Sequence, residues 1–265
     1  MPADNSIYEQ PGDIWWDERQ PLHTLRTAMN PVRMSYLRAV LADRGIDPAG
    51  TVIVDVGCGG GMLAEELAAL GARVTGVDPA AASIATARGH ARRAGLDIDY
   101  RVGRGEQLPV DDGAADIVCC VDVLEHVADL DAVISETARI LKPGALYLFD
   151  TINRTRLSKL VLIKLCQEWA PTAWMPPGLH DWDQFITPAE LGGTLARHGL
   201  ETGGMRGIAP SVSPPALLRL VRQLKTGKLS PADFGRKSAF TLTGSLRVSY
   251  IGHAVKERLA GADLE

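Results

Sequence analysis

At 265 residues, with 46% hydrophobic and 23% charged side chains, the chain has the composition of a globular protein and the length of one open α/β sheet with insertions, which excludes general disorder. Its formal charge of −4 argues against a nucleic-acid partner, because phosphate recognition shows as a basic excess. No apolar run reaches the roughly 20 residues of a membrane span, and an N-terminus carrying Asp4, Glu9, Asp13, Asp17 and Glu18 reads as no secretory leader.

Residues 1–11 are polar and read as loose. Trp15 and Trp16 introduce an N-terminal cap over 12–45, which runs through Pro21, Leu22 and His23 to a helix at about Pro31 to Asp43. Residues 51–152 read as the ligand-binding core. Val52, Ile53, Val54 and Val56 make a short buried strand interrupted by Asp55, and Gly57, Gly59, Gly60 and Gly61 then turn the chain into a helix beginning near Met62. Side-chain-free glycines let a bound molecule lie on the backbone, and the helix N-terminus beyond them presents unpaired N–H groups. Arg73 to Asp78 is a second strand that ends in a carboxylate about 20 residues past the first glycine, the offset at which such a group accepts from ribose hydroxyls. An adenosine-type ligand is therefore expected. Gly59, Gly61 and Ala64 also satisfy G-x-G-x-x-A, so a nicotinamide cofactor stays open on spacing.

Pro79 to Ala94 reads as a helix, Gly95 to Val102 as the third strand, Glu106 to Asp112 as a turn and Asp116 to Val121 as the fourth strand. A helix over Leu130 to Leu141 is stopped by Lys142, Pro143 and Gly144, and Ala145 to Asp150 makes the fifth strand. Alternation this regular predicts a doubly wound parallel sheet with the ligand at the carboxyl ends of its strands. An insertion at 153–187 interrupts the pattern. Its leucines and isoleucine over Arg154 to Cys166 alternate with Arg154, Arg156, Lys159 and Lys164, and Trp169, Trp174 and Met175 follow, which suits a lid over an apolar pocket or a segment lying on an anionic membrane surface.

Residues 188–265 complete the sheet, with a helix over Pro188 to His198, a strand over Leu200 to Ile208 and a basic insertion at 211–247. Within it seven basic side chains face the single acid Asp233, and Leu217, Leu220, Val221 and Leu224 recur at helical spacing while Arg219, Arg222 and Lys225 follow another face. The four cysteines, Cys58, Cys119, Cys120 and Cys166, form no C-x-x-C pair and read as buried thiols of a reducing cytoplasm.

Val54 to Gly61 followed by Val77 and Asp78 is similar to motif I and its acidic partner in class I S-adenosylmethionine (SAM) methyltransferases. Trp15-Trp16-Asp17, Pro21-Leu22-His23, Asn30-Pro31-Val32-Arg33, Leu124-Glu125-His126, Thr151 to Arg154, Leu179-His180-Asp181 and Phe185 to Leu191 resemble the bacterial ubiquinone-biosynthesis O-methyltransferase family, from about residue 12 to residue 208. The resemblance implies a single Rossmann-like domain over 1–265, built on a mostly parallel seven-stranded sheet. It also implies cofactor contacts: Asp55 on the methionine amine, Arg33 on its carboxylate, Gly57, Cys58, Gly59, Pro79 and Val121 against the ligand, Asp78 on the ribose and Glu106 near the adenine amine.

Methyl transfer from a sulfonium is an in-line displacement, so the protein mainly aligns the nucleophile and the methyl. A phenol titrates near ~10 in water, so a base or a metal is useful at neutral pH. Candidate bases are His126, and His180 with Asp181; His23, His90, His198 and His253 read as structural. If a helix begins after the fourth strand, Asp122, Glu125 and His126 share one face and can converge on a divalent cation. Two acids and a histidine at these positions in the resembling family support magnesium, manganese or zinc there, although Asp122 is one methylene shorter than the family's glutamate. Without a metal, Glu125 caps the next helix and His126 is the base.

The leading expectation is a cytoplasmic SAM-dependent O-methyltransferase acting on a small aromatic hydroxyl compound such as a prenylated catechol or quinol precursor; peripheral association at the inner face of the membrane stays open beside a basic lid that remains in solution. The same chemistry at oxygen, nitrogen or carbon of another secondary metabolite is the nearest alternative, because the lid and the C-terminal return are the least matched parts. Cys120 to His126 lacks the Asn/Asp-Pro-Pro-aromatic motif of adenine-base methylation. A nicotinamide oxidoreductase and an inert SAM-binding or membrane-scaffold protein are the readings from other classes.

Overall fold

In the computed structural model, which describes residues 5–10 and 13–258, eight strands form one sheet in the order β3-β2-β1-β4-β5-β8-β6-β7. The strands are β1 Val52–Val56, β2 Arg73–Asp78, β3 Ile98–Val102, β4 Ala115–Cys120, β5 Leu141–Ile152, β6 Leu200–Pro210, β7 Phe240–Thr243 and β8 Ser249–Lys256. The first five run parallel, and the last three join antiparallel beyond β5. Apolar residues on the strand faces are covered on one side by α1 Asn30–Asp43, α2 Met62–Ala68 and α3 Ala81–Ala94. On the other side lie α4 Leu130–Ile140 and α6 Pro188–Arg197. After β3 the chain returns across the sheet to pair β4 with β1, and this reversal of strand order opens a crevice at their carboxyl ends.

Glycine is required where the crevice begins. Gly61 caps α2 at φ 84°, a conformation that side chains rarely adopt, and a Cβ on Gly59 or Gly60 would overlap the Trp15 ring. The cap is thus packed onto the glycine turn. The Trp15 indole N–H donates to Ser83 Oγ at 3.0 Å, the Trp16 indole N–H donates to Gly60 O at 2.8 Å, and Trp16 stacks on His90. The segment expected to be loose holds a short 3-10 turn at Asn5–Glu9, where Tyr8 stacks on Trp15. Residues 1–4, 11 and 12 of that segment and of the cap, and 259–265 of the C-terminal part, lie outside the described residues.

Two further expectations are corrected, and the two insertions take definite form. Lys142, Pro143 and Gly144 do not separate helix from strand; β5 already starts at Leu141, and the register slips between the Ala115–Leu141 and Ile117–Leu146 pairs to absorb them. The fourth strand is followed not by an α-helix but by a 3-10 turn over Leu124–His126, preceded by Asp122 at φ 51°. The inserted segment is a short turn α5 Arg156–Ser158 that continues as a wide π-type helix over Lys159–Glu168. The basic insertion folds into α7 Pro214–Lys225, α8 Pro231–Ser238 and β7, and β7 is the strand beyond the seven expected. The apolar stripe of α7 is not free: Leu217, Leu220, Val221 and Leu224 pack with Leu229, Phe234 and Trp174.

The β6–β7 pairing makes a sharp demand at Gly207, where a Cβ would run into the backbone carbonyl of Ser245. Gly207→Ala should destabilise the fold by about 1–3 kcal/mol in denaturant unfolding, the usual range for overpacking. Gly204→Ala, with no atom within 4 Å of its added methyl, is the neutral control.

Candidate active site

A cavity of about 540 Å³ fills the crevice, walled by the turn after β1, the end of β2, residues 104–106, residues 121–128, α1 and the N-terminal Tyr8 and Trp15. Arg33, Asp55, Gly57, Cys58, Asp78, Pro79, Glu106 and Val121 all line it. Gly59 is the exception among the expected cofactor contacts. Its N–H donates to Asp78 Oδ2 at 2.9 Å and its Cα faces Trp15, so it shapes the wall rather than forming it.

Asp55 is the feature that specifies a ligand. It is 1% exposed, neither carboxylate oxygen has a hydrogen bond of normal geometry, and burial pushes its pKa up to about 7 against the pull of Arg33. A buried unpaired carboxylate is costly, and a ligand ammonium supplies the missing donors. Asp78, at the end of β2, accepts from Gly59 N–H and from Ala80 N–H at 2.8 Å. Each of its oxygens keeps a lone pair for a hydroxyl donor.

Arg33 differs from the expectation of an open fork waiting for a ligand carboxylate. It is 2% exposed and already engaged: Nε donates to Asp150 Oδ2 at 2.6 Å, Nη2 pairs with both Asp122 and Asp150, and Nη1 donates to Asn30 Oδ1 at 3.3 Å. The Asp122 N–H also donates to Asp150 Oδ1 at 2.8 Å. Asp150 was not foreseen as a site residue, though a lone acid closing the apolar run Ala145 to Phe149 is a legible signal.

Asp122 therefore does not join Glu125 and His126. Its left-handed backbone turns the carboxylate to Arg33, and the 3-10 turn removes the helical spacing on which the expected set rested. The structure gathers Glu125, His126 and His180 instead, with one donor atom of each within 4.8 Å of the others. Glu125 is 1% exposed; its Oε2 accepts from Thr151 Oγ1 at 2.7 Å, its Oε1 has no partner, and burial holds it well above the usual carboxylate range. His126 lines the cavity with its Nδ1 unpartnered, and burial depresses it to about 4. His180, brought in by the insertion, lies 5.2 Å from the His126 ring centre and is depressed to about 3, by burial first and His126 second. Both imidazoles are neutral at pH 7 and able to accept a proton or ligate a cation. Two orphaned buried donors and one further imidazole fit a divalent metal by type and spacing. Asp181 is not in this cluster; its carboxylate accepts from Asp183 N–H at 3.1 Å, capping the 182–184 turn.

Tyr8 was missed altogether. Its ring meets His126 edge-on and its phenol is pushed up by burial and by Asp122, Glu125 and Asp78. The other histidines are held in the scaffold, His23 by Trp15 O at 3.0 Å, His90 by Glu65 at 2.7 Å and His253 by Tyr36 at 2.9 Å.

The Methyltransferase domain family matches residues 54–149. A ubiquinone biosynthesis O-methyltransferase of Methylobacterium sp. (strain 4-46) is 40% identical over 208 residues, spanning 76% of this chain and 82% of that protein. One from Caulobacter vibrioides (strain ATCC 19089 / CIP 103742 / CB 15) is 39% identical over 78% of this chain and 84% of its own length. The crystal structure of magnesium protoporphyrin IX methyltransferase from Synechocystis PCC 6803 with bound SAH superposes with a TM-score of 0.59 over 95% of this chain and 92% of that one, at 20% identity. That last likeness speaks to the fold.

An ammonium seated on Asp55 needs the carboxylate ionised, so below pH 7 a proton has to leave first. SAM affinity should rise by up to about tenfold per pH unit between pH 5 and 7 and level off above. In Asp55→Asn, titration calorimetry should show weaker binding at pH 7.5 and no such slope. Without ligand the folded protein keeps this proton while the unfolded chain loses it, so this group lowers apo stability as pH rises from about 4 to about 7.

Proposed function

Since the chain belongs to the ubiquinone biosynthesis O-methyltransferase family and is a SAM-dependent O-methyltransferase, we propose that its acceptor is a hydroxylated aromatic, a catechol or quinol precursor bearing a prenyl chain. The observation that carries this reading is the neutral imidazole of His126 lining the same cavity as Asp55 and Asp78, with His180 and Glu125 beside it. A phenolic O–H that reaches this corner gives its proton to an imidazole. Its oxygen then takes the methyl, and the C–S electron pair stays on sulfur, leaving S-adenosylhomocysteine. Burial keeps the imidazoles unprotonated at neutral pH, and Glu125 and Thr151 beside them are themselves buried.

Glu125, His126 and His180 would hold a divalent cation such as magnesium, manganese or zinc. A cation there supplies Lewis-acid polarisation of vicinal hydroxyls. The experiment is a turnover screen with labelled SAM over catechols, quinols and simple phenols, run on metal-stripped and metal-restored enzyme. Label transfer to an ortho-dihydroxy ring is expected, with activity lost on stripping, regained with metal, and not regained in Glu125→Ala. Transfer only to nitrogen or carbon acceptors would overturn the acceptor class. Full activity in excess chelator, with His126→Ala inactive, would reject the metal and leave His126 as the base.

A prenylated acceptor is delivered from a membrane, and the surface has a face suited to meeting one. Leu160, Trp169 and Leu218 are among the few large hydrophobic side chains left more than half or half exposed, on the same segments as Lys164, Arg219, Arg222 and Lys225. Lys225 Nζ donates to Ala170 O, which brings α7 beside Trp169. No helix among the described residues is long and apolar enough to cross a membrane, so association would be peripheral. Cosedimentation with anionic vesicles, weakened by salt and by Trp169→Glu, is expected; equal binding to neutral vesicles would remove the idea.

A further inference from the structure

The insertion does more for the site than cover it, because one of its buried side chains determines which nitrogen of His180 carries hydrogen. Gln167, in the wide helix Lys159–Glu168, is 5% exposed. Its amide makes three contacts with a single residue: Nε2 donates to His180 O at 3.2 Å, Oε1 accepts from His180 N–H at 2.8 Å, and Oε1 lies 2.9 Å from His180 Nδ1. The orientation of the amide is fixed by the backbone alone. Turned over, it would set NH2 against a peptide N–H and its oxygen against a peptide carbonyl, two repulsions in a buried place. With oxygen on the N–H side, the group facing Nδ1 is an acceptor, so Nδ1 must be the protonated nitrogen and the lone pair must sit on Nε2.

We propose that Gln167 is a positioning residue for methyl transfer: it locks His180 in the Nδ1–H form and aims the unprotonated Nε2 at the corner occupied by Glu125 and His126. With Nδ1 taken up by Gln167, Nε2 is the nitrogen left to the Glu125–His126 cluster, and the ring is flanked by His126 at 5.2 Å and by Phe185, edge-on at 6.1 Å. An isolated neutral imidazole divides between two tautomers. Only the one with its lone pair on Nε2 can take the acceptor's proton or ligate a cation from this position. A glutamine does this without charge. An aspartate or glutamate partner would favour the imidazolium, whereas a neutral amide oxygen holds the ring as a base. The proposal rests on the reading of His180 as a working group of the site, so its test reads the tautomer separately from turnover.

The measurement is the long-range proton–nitrogen spectrum of 15N-histidine-labelled full-length protein, with the His180 signals assigned by their disappearance in His180→Asn. Wild type should show a pyrrole-like Nδ1 and a pyridine-like Nε2 for His180. Gln167→Leu, of similar volume, should average the two nitrogens and lower kcat by about ten- to a hundredfold with SAM affinity unchanged, the usual effect of losing the partner that orients a working imidazole. Gln167→Glu keeps an acceptor at Nδ1, so at a pH where the ring is neutral it should again show a pyrrole-like Nδ1 and a pyridine-like Nε2. If folded Gln167→Leu keeps the wild-type pattern and turnover, the proposal is overturned. If its nitrogens average while kcat stands, and His180→Asn is equally active, His180 has no part in turnover and the role of Gln167 in it falls too.

Discussion

One buried guanidinium organises this molecule. Arg33 lies at 2% exposure between Asp150, at the end of β5, and Asp122, just beyond β4. Asp150, at 2% exposure, would not hold its charge without a cation beside it, and removal of Arg33 would leave that buried carboxylate unpaired. The pairing therefore ties α1 of the N-terminal cap to the carboxyl edge of the sheet. It also explains the backbone: Asp122 is held at φ 51° because its N–H and its carboxylate are both committed to the Asp150–Arg33 pair. The 3-10 turn that presents Glu125 and His126 starts from that strained residue.

From this anchor the cavity acquires two ends of different character. Near Asp55 and Asp78 it offers carboxylates with open lone pairs, suited to the ammonium and the ribose hydroxyls of the cofactor. Near His126 it offers an imidazole that burial keeps neutral, with His180 behind it. The two ends thus differ in electrostatic character, carboxylates at one and neutral imidazoles at the other. His126 lines the cavity and is also part of the cluster, so it is the group common to both.

What could be read from the residues follows the range of the forces involved. The β1 turn, Asp55 and Asp78 are specified locally, by glycines, strand periodicity and a fixed offset, and they stand where the motif puts them. The sheet was legible for the same reason, apart from β8, expected as a seventh strand without bounds, and β7, whose four residues are too short to announce themselves outside their pairing with Gly207–Pro210. The cation-sized cluster was half legible. Glu125 and His126 are adjacent, but their third member comes from 54 residues downstream, and helical spacing offered Asp122 in its place. A distant ion pair decided that competition, and no local pattern encodes it. Arg33 was recognised as important yet assigned an outward role, because sequence shows the fork but not the two acids folded against it. The amphipathic pattern of α7 was real, but the partner of its apolar stripe, Trp174 and Phe234, is visible only in the fold.

The short β7 also changes how the protein behaves in a crowded solution. Without it the outer border of β6, 11 residues long, would present a row of unpaired peptide groups to any neighbouring chain. β7 occupies the end of that row at Gly207–Pro210, and along the remainder the register slip between Thr202 and Met205, at Gly203 and Gly204, breaks the straight run a second strand would need. The opposite border, β3, is only five residues long and carries Asp99 and Arg101. Both borders of the sheet are therefore poor templates for strand-to-strand aggregation.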